Sequence, residues 1–321
     1  MTKITETQYK FKDHDLEELW YIMDVLSGNM FSSPRSSIGE KGVYFLSCEN
    51  VMSVMNTLIS IDFCIARQHF SDAFTLARKY RDDLMQYVYL LNVVSRIRGL
   101  SDEELNKCDI TDVQSFMKMI EMEITLLASG ETKNKEQKAV EAWFYKELEM
   151  DTHLKDRKDY FDTSKYKRHL ENSNDKLKHI MSSYFENIWQ TVDRKLNNYV
   201  HGNGVNFISV NYVRNIEPST IRNELIEVMK NITSIFLSAL AMVDATQMRS
   251  TDYLDALEFD EKPIEGSQYW VAPCIVEYME KNFPEIDKGL LQYIEENNDY
   301  GMKFCACDYE YKVIVATCRQ F

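Results

Sequence analysis

Residues 232–243 read Ile-Thr-Ser-Ile-Phe-Leu-Ser-Ala-Leu-Ala-Met-Val, the strongest apolar run in the chain. Lys230 lies just before it and Asp244 just after, while Pro218–Ser219 supplies a helix start upstream. The run is shorter than the roughly 20 residues that span a bilayer. It is therefore expected to be the core of a long helix from Pro218 to about Ala245. A helix that is apolar on every side needs other helices to cover it, so this stretch already predicts a large helical fold.

The flanking sequence repeats the helical signal. A helix from about Asn174 to Val200 carries Leu177, Ile180, Met181, Tyr184, Ile188, Val192 and Leu196 at burial spacing, and Gly202 and Gly204 end it. Leu16–Ser27 is periodic. Val51, Met52, Met55, Leu58, Ile59 and Ile65 mark a helix to about Gln68, apolar nearly all round and so predicted to be central. Ser71 reads as the N-cap of a helix running to Ile97, stopping near Gly99. Ser101 with Glu104, and Thr111 with Gln114, have capping-box spacing; the second opens a helix ended by Gly130, and Lys133–Met150 forms another. Asp151–Lys178 reads as charged and irregular, with eight Lys/Arg against six Asp/Glu. Phe207–Val213 reads as a short strand. Helices are expected over Val271–Lys281 and Lys288–Glu296, with strand in the aromatic, Cys-bearing end.

Ten glycines and five prolines in 321 residues are too few turns for a sandwich or barrel, and 45% apolar content excludes wholesale disorder. The expected class is all-α, a multi-helix up-down bundle. Residues 1–48 read as an N-terminal extension, 49–250 as the bundle, and 251–321 as an acidic C-terminal subdomain of helix with minor β. The net charge of −14 argues against non-specific coating of nucleic acid. That charge is uneven: Thr251–Phe321 carries −9, whereas Met1–Leu100 carries −1. The acidic tail admits two readings, an RNA mimic that occupies a basic surface or a solubilising cover. Seven scattered cysteines and an N-terminus without an apolar segment suggest a reduced, cytoplasmic setting with no membrane span.

Familiar phosphate-loop, dinucleotide, zinc-protease and nucleophile-elbow motifs are missing from the sequence. His14 between Asp13 and Asp15 reads as an exposed helix start. Cys305, Cys307 and Cys318 lack a nearby fourth ligand and read as small buried thiols. No metal or cofactor is called for.

The segment Arg194-Lys195-Leu196-Asn197-Asn198-Tyr199-Val200-His201-Gly202-Asn203-Gly204 carries chemistry. Residues seven apart on a helix differ by about 20° around the axis, so Arg194 and His201 share a face. Asn198 lies on it, four after Arg194, with Asn197 beside it. Tyr199 reads as packing. A long apolar-striped helix thus ends in a narrow polar stripe.

Arg followed by His near the end of a late bundle helix, and then by Gly, resembles the signature of the HEPN superfamily of helical-bundle proteins. Ala77-Arg78-Lys79-Tyr80-Arg81-Asp82-Asp83-Leu84 is similar to the early charged helix of such bundles. The resemblance covers roughly Glu49 to Ala245. Lys195 departs from it, since many catalytic members carry Asn, Asp or His directly after the Arg.

What the resemblance implies is a metal-independent endoribonuclease. Its catalytic residues would be Arg194 and His201, with Asn198 orienting the phosphate or the His. Asn197, Asp82 and Arg78 would support them, and Lys195 and Lys176 would contact RNA. Asp82 or Asp83 would approach Arg194 from the neighbouring helix, although Arg78–Asp82 also reads as a simple i,i+4 pair. The 2′-OH would attack its own phosphate, so the protein need supply only proton transfer and a cation. His201 at a helix C-terminus suits a charged general acid. One chain offers one such His, and a two-fold homodimer would supply two. The resemblance further suggests a toxin–antitoxin or anti-phage setting with a regulatory protein partner. The alternative is an inactive HEPN-like RNA-binding or scaffold protein, with Lys155–Lys178 as its basic groove and His201 as a helix cap.

Overall fold

The apolar run lies inside the longest of the described helices, and the described residues form helices without a strand. The structure is a computed structural model, and it describes residues 9–31, 49–95, 114, 115, 118, 135, 136, 165–205, 207, 210, 211 and 217–304. Nine helices are found among them: α1 (His14–Phe31), α2 (Glu49–Ala66), α3 (Phe70–Ser95), α4 (Tyr166–Ser173), α5 (abutting segments Asp175–Ile180, Met181–Phe185 and Glu186–Val200), α6 (Pro218–Asp244), α7 (Asp252–Glu258), α8 (Pro273–Ile286) and α9 (Leu290–Asn297).

Helix α6 is central. From Ile232 to Asp244 every residue is buried, and the helix packs against α1, α3, α5, α8 and α9. Pro218 sits in its first turn, where the missing N–H has no partner to lose. With the 3₁₀ turn that follows, Pro218–Met248 is long and apolar enough to cross a membrane by length and composition, and most of its apolar window is buried against the other helices. Buried hydroxyls stitch its neighbours to it. Tyr80 of α3 meets Thr233 at 2.8 Å, and Tyr278 of α8 donates to the Lys230 carbonyl at 2.8 Å. Burial pushes both phenols well above their ordinary range.

The sequence reading places α2 at the centre, and this is corrected. One face of α2 is buried (Val51, Val54, Leu58, Ile61), while Met52 and Phe63 are each more than half exposed. Three residues join α2 to α3, with Gln68 at φ 61°, and the two helices fold back on each other. Ser71 is not the cap of α3. It lies within the helix, and its N–H is capped by the Asn211 side chain at 3.0 Å from far along the chain. Helix α1, within the first 48 residues, buries Leu16, Leu19, Ile22, Met23 and Leu26 in the same core. Asp13 caps it, accepting from the N–H groups of Asp15 and Leu16 and binding Arg222 of α6. His14 points away and is exposed beside Glu17.

Two further corrections follow. Tyr166–Ser173, within the stretch read as irregular, is helical and buries Tyr166 and Leu170. The described residues of 207–213 are helical or in turns rather than strand. Beyond Met248 no strand occurs among the described residues. Two isolated bridges, Arg249 with Val271 and Trp270 with Lys303, hold the chain beside α8. Helices α8 and α9 extend the predicted pair to Ile286 and Asn297. Ser101 with Glu104, nearly all of the helices expected over 111–150, and the Cys-bearing end with Cys305, Cys307 and Cys318 lie outside the described residues.

Candidate functional site

Helix α5 carries most of the site, and its middle is not α-helical. Met181–Phe185 forms a π turn, which inserts one residue and offsets the faces on its two sides by about 100° relative to an unbroken α-helix. The inward stripe therefore passes from Met181 to Phe185, then to Val192, Leu196 and Tyr199, while Tyr184 and Ile188 are only half-buried. Phe74 of α3 stacks on Tyr199 with centroids 3.8 Å apart and the rings 3° from parallel, and Phe207 meets Tyr199 edge-on. Burial, reinforced by Glu224, pushes the Tyr199 phenol up to about 12. Tyr199 is a packing residue, as its position in the sequence suggests.

The end of α5 is a Schellman motif. Asn203 N–H donates to the Asn198 carbonyl at 2.9 Å and Gly202 N–H to that of Tyr199 at 3.4 Å, with Gly202 at φ 56°. The Asn203 side chain also donates to Asn198 Oδ1. These bonds fix His201 as the C-cap directly after Val200, and its ring is exposed.

Helix α3 lies alongside. Arg78 places a guanidinium nitrogen 3.4 Å from His201 Nε2. A guanidinium can only donate, so in this contact the ring nitrogen is placed to accept. One turn along α3, Arg81 is 6% exposed and donates to Asp82 (3.0 and 2.8 Å) and across to Asp193 of α5 (2.8 Å), with its guanidinium carbon 5.5 Å from the centre of Trp189. Asn197 donates to the other oxygen of Asp193.

Helix α4 closes a cleft of about 340 Å³ against these two. Its walls are Arg78 and Arg81 from α3, Lys167, Arg168 and Glu171 from α4, and Trp189, Asp193 and Asn197 from α5. The last three recur every four residues and form one column. The lining carries four cations and two carboxylates in a chain of net charge −14. Lys167 pairs with Glu171 and Glu186; burial opposes its charge, and the two carboxylates outweigh burial to hold it above the usual lysine range. Arg168 is exposed and has no ion pair or hydrogen bond among the described residues.

The residues singled out from sequence divide into two groups. Arg78 meets His201 at the α3–α5 seam and lines the cleft with Asn197, and Asn198 accepts from the Asn203 side chain in the turn that follows His201. Arg194 is exposed beside that seam and makes no ion pair or hydrogen bond among the described residues. Asp82 turns to the arginines of its own helix, Arg81 at 2.8 Å and Arg78 at 3.8 Å, and Asp83 to Lys79, so neither pairs with Arg194. Lys195 faces α6, 3.6 Å from Glu224 and 3.7 Å from Glu227, and Lys176 is held by Asp299 and the Asn297 carbonyl. Both would have to leave carboxylates to meet a phosphate. Arg81, Arg168, Trp189 and Asp193 did not emerge from sequence reasoning. The available signal was the i,i+4 column on α5, obscured by the π turn before it.

Comparison of the chain with protein-family models, with curated proteins and with solved structures finds no match. The functional reading therefore rests on the residues and their geometry.

Proposed function

We propose that this chain is a metal-independent endoribonuclease of HEPN type that cleaves RNA through attack by the 2′-OH. The observation that carries the reading is the Arg78–His201 contact at the exposed end of α5, with Arg194 free beside it. Nε2 of His201 takes the 2′-OH proton as Arg78 leaves it and turns to the phosphate. Arg194 and Arg78 hold the phosphorane charge, and guanidinium forks suit that task because they never deprotonate. Asn198 positions the phosphate or the ring. Protonation of the leaving 5′-oxygen needs a second acid, which a two-fold homodimer supplies by bringing a second imidazole to the same phosphate. A cytoplasmic setting, RNA as substrate and a regulatory protein partner belong to the same proposal.

One observation favours a second reading, an inactive RNA-binding or scaffold protein. Arg81, Lys167, Lys176 and Lys195 are all engaged by carboxylates of their own chain, as in a protein whose charges serve structure.

The test is cleavage of total RNA and tRNA in EDTA by wild type, His201→Ala and Arg194→Ala. The proposal expects cleavage that survives the chelator and falls by at least about 100-fold in each variant, the usual loss on removing a proton-transfer group or a charge stabiliser. Equal activity in all three proteins refutes it and assigns the cleavage to another site or a contaminant; no cleavage by wild type alongside RNA binding refutes it in favour of the second reading.

A further inference from the structure

Of the residues that line the α3–α4–α5 cleft, the cleavage chemistry uses only Arg78, at the edge nearest His201. The cleft volume of about 340 Å³ sits at the lower end of the range for small-molecule sites, room for one nucleotide and not for two. The charges on its walls are not equivalent. Arg81 and Lys167 are spoken for, by Asp82 with Asp193 and by Glu171 with Glu186. That same pairing neutralises both carboxylates that line the cleft. Two guanidiniums remain. Arg168 has no partner among the described residues, and Arg78 has only the 3.4 Å contact to His201 and a 3.8 Å approach to Asp82.

The same cleft is lined by an aromatic ring and a carboxamide. Trp189 is half-buried and carries Arg81 against its ring, and Asn197 is held through its amide nitrogen by Asp193, which leaves its carbonyl oxygen to accept. Two guanidiniums without a short ion pair, an indole and a carbonyl acceptor in a single-ligand volume match an anion attached to a flat heterocycle.

We infer that this cleft is a binding site for one nucleoside phosphate, with the phosphate held by Arg78 and Arg168 and the base against Trp189 and Asn197. The ligand is either a free nucleotide or one nucleotide of an RNA strand; the chemistry is the same. The inference requires nothing of His201 as a proton carrier, so a failure of the cleavage reading leaves it standing and the reverse also holds.

Calorimetry on the full chain tests it, with the four nucleoside monophosphates, inorganic phosphate and a trinucleotide as probes. At least one monophosphate is expected to bind at one site per chain, at least tenfold more tightly than inorganic phosphate. Arg168→Ala, an exposed change that removes no hydrogen bond or ion pair among the described residues, is expected to weaken it about tenfold, as loss of one charge-assisted contact does. Trp189→Leu should lose the margin over inorganic phosphate. A trinucleotide that binds more tightly and is displaced by the monophosphate assigns the site to an RNA strand. One that fails to compete assigns it to a free nucleotide. No saturable binding of any nucleotide at millimolar concentration, equal binding of phosphate and nucleotide, or an Arg168→Ala protein that binds as wild type overturns the inference.

Discussion

Replacing Arg81 with Met tests whether the α3–α5 seam is held by charge or only by packing. The Met side chain keeps an apolar stem against Trp189 and removes three charge-assisted donors, two on Asp82 and one on Asp193. A hydrogen bond to a charged group contributes roughly 1.5–3 kcal/mol when desolvated. Breaking a fully buried ion pair costs about 3–5 kcal/mol. Here the carboxylates reach water, with side-chain exposures of 20% for Asp82 and 45% for Asp193, so both figures must be discounted. About 2–3 kcal/mol of lost stability is the expected total. Asp82 is on the same helix as Arg81, so only the bond to Asp193 joins the two helices. Its share, about 1 kcal/mol, is the coupling expected between Arg81→Met and Asp193→Asn in a double-mutant cycle. Urea unfolding of the four proteins at pH 7 measures both numbers. An Arg81→Met protein within about 0.5 kcal/mol of wild type would refute the reasoning, as would a coupling of zero.

Two shorter predictions concern other joints. Burial works against the Asp15 carboxylate, but hydrogen bonds from Lys230 and Arg222 together outweigh it and hold the group below the usual carboxylate range. A depressed acid stabilises the fold above its unfolded value, near 4, and the stabilisation disappears as the pH falls through the lower folded value. Asp15→Asn should therefore be less stable than wild type at pH 7, with the gap closing below about pH 4 in denaturant titrations. A gap that stays constant to pH 3 would show that the carboxylate charge is not what holds α1 to α6. At the end of α5, Gly202→Ala forces a Cβ into φ 56° and should cost about 1–2 kcal/mol. It should also shift the His201 ring resonances, and unchanged stability would mean that the Schellman turn does not fix that ring.

What the sequence displays is whatever is written locally. Helix α6 is legible because its apolar residues are consecutive and Pro218 marks its start. The end of α5 is legible because Gly202 and Gly204 can only mean a stop. Helix α4 is not, since Tyr166 and Leu170 make a single apolar pair inside a charged stretch, and α7 buries no residue at all. Misplacing α2 at the centre has a similar origin, because Met52 and Phe63 look like core residues and face outward. The site divides the same way. Arg194, Asn198 and His201 lie within eight residues and announce themselves. Arg78 meets His201 from 123 residues away and Arg81 meets Asp193 from 112, and no local pattern encodes either meeting.

The π turn in α5 separates two properties that an ordinary helix binds together, its length and its phase. The helix holds one residue more than its two buried faces need. Excising one of the exposed Ser182 and Ser183 would let Met181–Phe185 close as regular α-helix and leave Asp193, Asn197 and His201 facing as before. Keeping the residue count and forcing Met181–Phe185 into regular α-helix would do the opposite. It would preserve every side chain of the site and turn the column about 100° off the α3 seam. For this helix a deletion is the conservative change, and straightening the turn at constant length is the disruptive one.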